Sequence, residues 1–332
     1  MGRDALNRRN LAALLTGALF GAPLLAPLTA RAQGDTPNPT TAPLFDPSVG
    51  VGAGNDLYSR LTAPVTLNEQ GPYDFVIDTG ANHSVLSSEI AEALNLRPGR
   101  PIQMNTVVGI ETVPTVIVDR VNLGGRLTKK VAMAVLPQAA IGGAGLMGVD
   151  QLAGRRLTMD FKSRRLLIQG SGSQPSDSGA IAVQARFRDG RLTLLNAQAS
   201  SLDITVFLDS GSEITVGNTA LRRKLGARLR PLDPSRFPDV PVIAATGAEI
   251  NGSLGVLPML KIGGLTVFNM PMVFADLHTF SLWGAADIPA LLVGVDLLRE
   301  FASVDLDFGS GQVLFHLPGW QNAPTGTLIR GI

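Results

Sequence analysis

The chain has no cysteine, which excludes disulfides, thiolate metal sites, a cysteine nucleophile and a lipidated N-terminal cysteine. Histidine is nearly as scarce. His83, His278 and His316 are far apart in sequence, and no His-Glu-x-x-His occurs, so no histidine-rich zinc site is expected. No lysine follows a glycine and no Gly-x-Ser-x-Gly is present, which removes a P-loop and a serine-hydrolase elbow. Aromatics are 5% of the residues, with two Trp and two Tyr, a poor supply for stacking on sugars. No excess of one charge exists either, with 28 Lys+Arg against 27 Asp+Glu. Without residues 1–32 the balance is 24 basic to 26 acidic, and nothing in it points to nucleic acid or an anionic membrane surface. Beyond the N-terminus no run is long and apolar enough to span a bilayer.

What is abundant is 37 Gly and 22 Pro in 332 residues that are 45% hydrophobic. That mixture suits short strands joined by many turns, in a chain long enough for two cores. The first residues read as an export signal. Arg3, Arg8 and Arg9 precede an apolar stretch 11–28 broken by Pro23 and Pro27, and Ala30-Arg31-Ala32 offers a cleavage site before Gln33. Arg8-Arg9-Asn10-Leu11-Ala12 also resembles a twin-arginine signal. The expected division is therefore a signal at 1–32, a flexible leader at 33–43, a lobe at 44–169, a linker at 170–179 (GSGSQPSDSG), a second lobe at 180–318 and a tail at 319–332.

The two lobes are a repeat. Phe75-Val76-Ile77-Asp78-Thr79-Gly80-Ala81 and Val206-Phe207-Leu208-Asp209-Ser210-Gly211-Ser212 each end a strand-like run on Asp-[Thr/Ser]-Gly. Each has a hydroxyl six residues after the aspartate (Ser84, Thr215), then a helical stretch ending in Leu-Arg-Pro, a Gly-tipped segment and a closing Gly-Val-Asp. Thr112 to Val121 reads as one strand, and 124–125 and 263–264 as Gly-Gly hairpin turns. Asp-Ser/Thr-Gly can be a mere turn, and chance supplies about 0.15–0.25 such tripeptides in a chain this long. Asp177-Ser178-Gly179 in the linker is such a case, since no apolar strand precedes it. Two copies at equivalent places in a repeat require another explanation.

Paired carboxyls supply it. Two aspartates brought together share one proton, so one is a base for a water molecule while the other protonates the carbonyl under attack. Gly80 and Gly211 let the backbone turn sharply beside them, and the Thr79 and Ser210 hydroxyls are placed to bond across a pseudo-twofold axis.

On these motifs, together with Leu146-Met147-Gly148 and Leu292-Val293-Gly294, the chain resembles a retropepsin-like aspartic protease duplicated in one polypeptide, similar in its two lobes to the pepsin family. The resemblance covers nearly all of 55–318. It implies an all-β, closed six-stranded acid-protease fold with short helices in two homologous lobes, hydrolysis of a polypeptide substrate, and no metal or other cofactor. By the same likeness Asp78 and Asp209 are catalytic, and Val108-Gly109-Ile110 and Thr246-Gly247-Ala248 tip two flaps over the substrate. A monomer suffices, with a homodimer left open, and no membrane contact is expected once the signal is removed. The chain departs from the pepsin pattern in lacking a flap tyrosine, since Tyr58 and Tyr73 both precede Asp78. The second lobe also inserts about fifteen residues, containing His278, Phe280 and Trp283, before its Gly-Val-Asp.

Other features read more plainly. Asp150 and Asp296 are expected as helix N-caps, and His83 as a loop residue. Gly143-Ala144-Gly145-Leu146-Met147-Gly148 fits Gly-x-Gly-x-x-Gly without a βαβ context. Two rivals stay open at this level: a peptide-binding module that does not cut, and a paired-carboxylate glycosidase. Carboxyl spacing separates them.

Overall fold

The computed structural model describes residues 60–172, 180–188, 191–231 and 239–318, with the short stretches 13–14, 49–52, 54–55 and 326–329. Most of the signal, the leader 33–43, and most of the linker and tail lie outside the described residues.

Strand Leu61–Leu67 shows how the sheets form. Leu61, Ala63, Val65 and Leu67 are buried while Pro64 and Thr66 are half-exposed, the period of two that gives a strand one inward face. It turns through Asn68 and Glu69, both at positive φ, into Gln70–Ile77. The Gly-Gly turns are also as expected, joining Leu123 to Arg126 and Ile262 to Leu265.

In the first lobe the strands Leu61–Leu67, Gln70–Ile77, Gly145–Met147, Val85–Ser87, Arg126–Leu136 and Thr115–Leu123 pair in that order, and the last pairs back to the first. The second lobe repeats the ring with Arg191–Ala199, Leu202–Leu208, Ala290–Val293, Val216–Gly217, Leu265–Phe274 and Glu249–Ile262. Each lobe is thus a closed six-stranded barrel, and the fold is all-β with a few short helices.

Three local expectations are corrected. Thr112 to Val121 is not one strand. It breaks at Pro114 into Ile110–Val113, which pairs with Ile102–Asn105 in a flap hairpin, and Thr115–Leu123 in the barrel. Proline has no N–H to donate, so pairing stops there. The helices begin earlier than the sequence suggests, at Ser88–Ala93 and Thr219–Leu225, because Ser87 and Asn218 cap the N–H groups of Ile90 and Leu221. The Leu-Arg-Pro stretches are no longer helical. Arg97–Pro98 and Arg230–Pro231 are short strands.

A further sheet joins the lobes. Arg155–Asp160 and Arg165–Gly170 of the first half lie beside Ser303–Asp307 and Gln312–His316 of the second, with Arg156 opposite Asp307 and Asp160 opposite Ser303. Val49–Gly52 and Ile181–Arg188 flank them on the two sides. One continuous apolar cluster runs beneath, from Leu157 and Ile168 to Val304 and Phe315. This shared floor sets the two barrels side by side with their Asp-[Thr/Ser]-Gly loops facing.

Candidate active site

Both aspartates leave their barrels at the buried end of a strand. Phe75-Val76-Ile77 and Val206-Phe207-Leu208 pair in parallel with Gly145–Met147 and Ala290–Val293, and the N–H groups of Asp78 and Asp209 are bound by the carbonyls of Met147 and Val293. The chain is held straight up to the carboxyl and then turns.

The loops interlock across the axis. The Thr79 N–H donates to Ser210 Oγ (3.1 Å), and the Ser210 N–H donates to Thr79 Oγ1 (2.9 Å). Each hydroxyl then donates onward to the strand of the other lobe, Ser210 to the Ile77 carbonyl (2.7 Å) and Thr79 to the Leu208 carbonyl (3.3 Å). Four bonds therefore join segments that are buried on both sides, where leaving one unmade costs most. The glycines are required by proximity. A Cβ at Gly80 would lie 2.5 Å from the Asp209 carboxyl carbon, and one at Gly211 2.3 Å from that of Asp78.

Asp78 is 2% and Asp209 5% exposed. Asp78 Oδ1 accepts from the N–H groups of Gly80 (2.9 Å) and Ala81 (3.0 Å), and Asp209 Oδ1 from that of Gly211 (2.9 Å). Burial pushes the Asp78 carboxyl above its ordinary value, against the pull of the Arg60 guanidinium and of those N–H groups. Asp209 is pushed well above the carboxylate range, by burial first and then by the Asp78 charge. The two carboxyls face each other across the interlocked loops, and the stronger upward push on Asp209 favours the proton there. One base and one acid at a single point is the arrangement that can activate water.

The expected supporting residues Thr79, Gly80, Ser210 and Gly211 all meet at this point. The expected flap tips lie above it but face the cleft less directly. Val108, Gly109 and Ile110 end the hairpin 102–113, with Ile110 58% exposed, and Thr246, Gly247 and Ala248 end the hairpin between Val240–Ile243 and Glu249–Ile262. The cavity of about 160 Å³ over the dyad is bounded instead by Gln103 to Val107 and by Ala245. The hairpins touch, because Thr246 Oγ1 donates to Glu111 Oε1 (2.6 Å). His83 is exposed at the cavity wall.

Asp150 and Asp296 are not N-caps. Their carboxylates accept from the hydroxyls six residues after Asp78 and Asp209, Ser84 (2.8 Å) and Thr215 (2.7 Å). Those hydroxyls in turn accept the N–H of Gly148 and Gly294. The repeated hydroxyls and the repeated Gly-Val-Asp are two ends of one brace, and only their joint recurrence hinted at it.

Arg60 gave no sequence signal, since one arginine before an apolar strand looks like any surface cation. It is 0% exposed, and donates to the carbonyls of Gly211 (3.3 Å) and Ile141 (2.6 Å). A first-lobe cation thus holds the second-lobe loop and biases Asp78 toward its charged form.

Family comparison agrees with this geometry. Residues 63–153 match the gag-polyprotein aspartyl protease family, and residues 195–297 match the family described as aspartyl protease. No curated protein matches the chain. One family match falls in each barrel, and each contains one of the two facing aspartates, so the chain belongs to the retropepsin-like aspartyl proteases, duplicated within a single polypeptide.

Proposed function

We propose that this protein is an exported aspartic endopeptidase that hydrolyses polypeptides with a single-chain dyad, Asp78 and Asp209. The observation that carries the reading is that the interlocked loops bring two buried carboxyls together, each fixed by N–H groups of its own loop and packed against the glycine of the other. Asp78, whose charged form Arg60 and its N–H donors favour against burial, takes a proton from a bound water. Asp209 gives its proton to the peptide carbonyl oxygen, and the water oxygen bonds to the carbonyl carbon. Collapse of that tetrahedral species breaks the C–N bond, with a proton passing to the leaving amine. No covalent enzyme intermediate forms. Two buried carboxyls held together by the interlocked loops favour this over a module that binds without cutting, and over a glycosidase whose two carboxyls must stand on either side of a sugar. The hairpins that end at 108–110 and 246–248 cover the bound peptide, with Gln103 to Val107 and Ala245 facing it. Export follows from the basic n-region and Ala-x-Ala site, and one chain is the working unit because both aspartates come from it.

The test is cleavage of a mixed peptide library between pH 3 and 8 by the chain from Gln33, beside Asp78→Asn and Asp209→Asn. Each single variant should lose at least about 10²–10⁴-fold in rate while remaining folded. Near-normal activity in either variant would mean that the site is not this single-chain pair.

A further inference from the structure

The two barrels are not equal at the cleft. In the first, Val76, Leu146 and Val85 lie side by side across neighbouring strands, and Leu146 and Val85 line the cavity over the dyad. The same three places in the second barrel hold Phe207, Leu292 and Val216. Phe207 is larger than its counterpart Val76, and the second-lobe insertion is folded on top of it. Its ring lies 4.6 Å from that of Trp283 and 6.4 Å from that of Phe280. Leu277, Phe280 and Ala285 of the insertion share one apolar cluster with Phe207, Val216 and Leu292.

The insertion is fastened at both ends. The His278 N–H donates to the Val107 carbonyl of the first flap (2.7 Å), and Asn218 Nδ2 donates to the carbonyls of Ala285 (2.8 Å) and Ile288 (2.7 Å). It is a fixed wall. The cavity it leaves belongs mostly to the first lobe. From the second lobe, among the described residues, only Asp209, Ala245 and the insertion residues Thr279, Leu282 and Trp283 reach it. Thr279 Oγ1 is buried and has no partner among the described residues, and Leu282 is 45% exposed. A hydroxyl and an apolar surface therefore await a ligand.

We infer that the insertion makes the cleft one-sided: a large apolar side chain enters the pocket of Val85, Leu146, Met104 and Leu282, while the matching place over Val216 and Leu292, filled by the insertion packed on Phe207, admits only a small one. The substrate class is a polypeptide whose scissile pair is one bulky apolar and one small residue, with its backbone bonded to Thr279. This rests on the peptide-cleft reading above.

The experiment uses octapeptides of one fixed sequence whose central pair is Leu-Ala, Ala-Leu, Leu-Leu or Ala-Ala. Affinity is measured on the Asp209→Asn chain, and cleavage on the wild type. One of the mixed pairs should bind and be cut at least about tenfold better than Leu-Leu, because a filled site rejects added methylenes by at least that factor. In a Phe207→Val background, which restores the residue type of the first lobe, the gap should shrink. Equal affinity for Leu-Leu and the better mixed pair on the Asp209→Asn chain overturns the inference, whether or not wild type cuts. The binding preference persisting with no wild-type cleavage overturns the peptidase reading and leaves the one-sided cleft standing. The wild-type and Asp209→Asn comparisons decide the matter even where Phe207→Val does not fold.

Discussion

At the scale of single residues the site is governed by contact distances and by one buried charge. Because a Cβ at Gly80 or Gly211 would overlap the opposing carboxyl, Gly80→Ala and Gly211→Ala should each abolish measurable cleavage while leaving the circular dichroism spectrum unchanged. Arg60 lowers the Asp78 carboxyl, so removing its charge moves the singly protonated window upward. Arg60→Met should show a pH–rate profile displaced to higher pH, with Arg60→Lys lying closer to wild type. An unmoved profile would leave Arg60 a purely structural clamp. Asp209 carries a stability consequence with the opposite sense from an ordinary ion pair. Its folded value is raised, so the stability associated with its proton is full below the unfolded value near 3.8 and is lost as pH rises through the folded one. Asp209→Asn should therefore melt higher than wild type at neutral pH, and the gain should vanish toward pH 3.8.

Among the elements, the sheet between the lobes matters most. Asp307 lies opposite Arg156 on the neighbouring strand, 3.4 Å away, and both side chains are at most 4% exposed. Burial acts upward on the Asp307 carboxyl. The N–H groups of Gly172, Ser310 and Gly309 and the Ser171 hydroxyl outweigh it and hold the group well below the carboxylate range. Asp307→Ala removes the carboxylate paired with a buried arginine and should cost about 3–5 kcal/mol in denaturant unfolding. The sign here is the ordinary acidic one. The contribution is present above the unfolded value and fades as pH falls through the depressed folded value, so the gap to wild type closes only in strong acid. The sequence showed the closing runs of both halves to be alike. It did not show that they pair with each other, since either could have completed its own barrel.

For the whole molecule, the lobes are tied by the interlocked loops, the Arg60 clamp, the Glu111–Thr246 contact between hairpins and the shared sheet with its common apolar cluster. Elements joined so closely should unfold together. Urea titration followed by tryptophan fluorescence and by far-ultraviolet circular dichroism should give coincident transitions, and two separated midpoints would mean that the barrels are independent.

How much of this was legible beforehand follows from the range of the interactions. The sequence by itself determined two β-rich repeats, their Gly-Gly hairpins and the two aspartate loops, because strand period, turn residues and an internal repeat are local patterns; that each repeat closes into a barrel was an implication of the family resemblance. It determined the Thr79 and Ser210 interlock as an expectation, because a repeat about an axis brings equivalent positions together. Only the tertiary structure decided that Arg60 is interior, that Ser84 and Thr215 hold Asp150 and Asp296, and that the cavity walls are Gln103 to Val107 rather than the hairpin tips. It alone placed Phe280 and Trp283 over Phe207. Those outcomes depend on how two closed barrels meet. The contact between their surfaces is set by shape and burial across more than a hundred residues of chain, which no local pattern encodes.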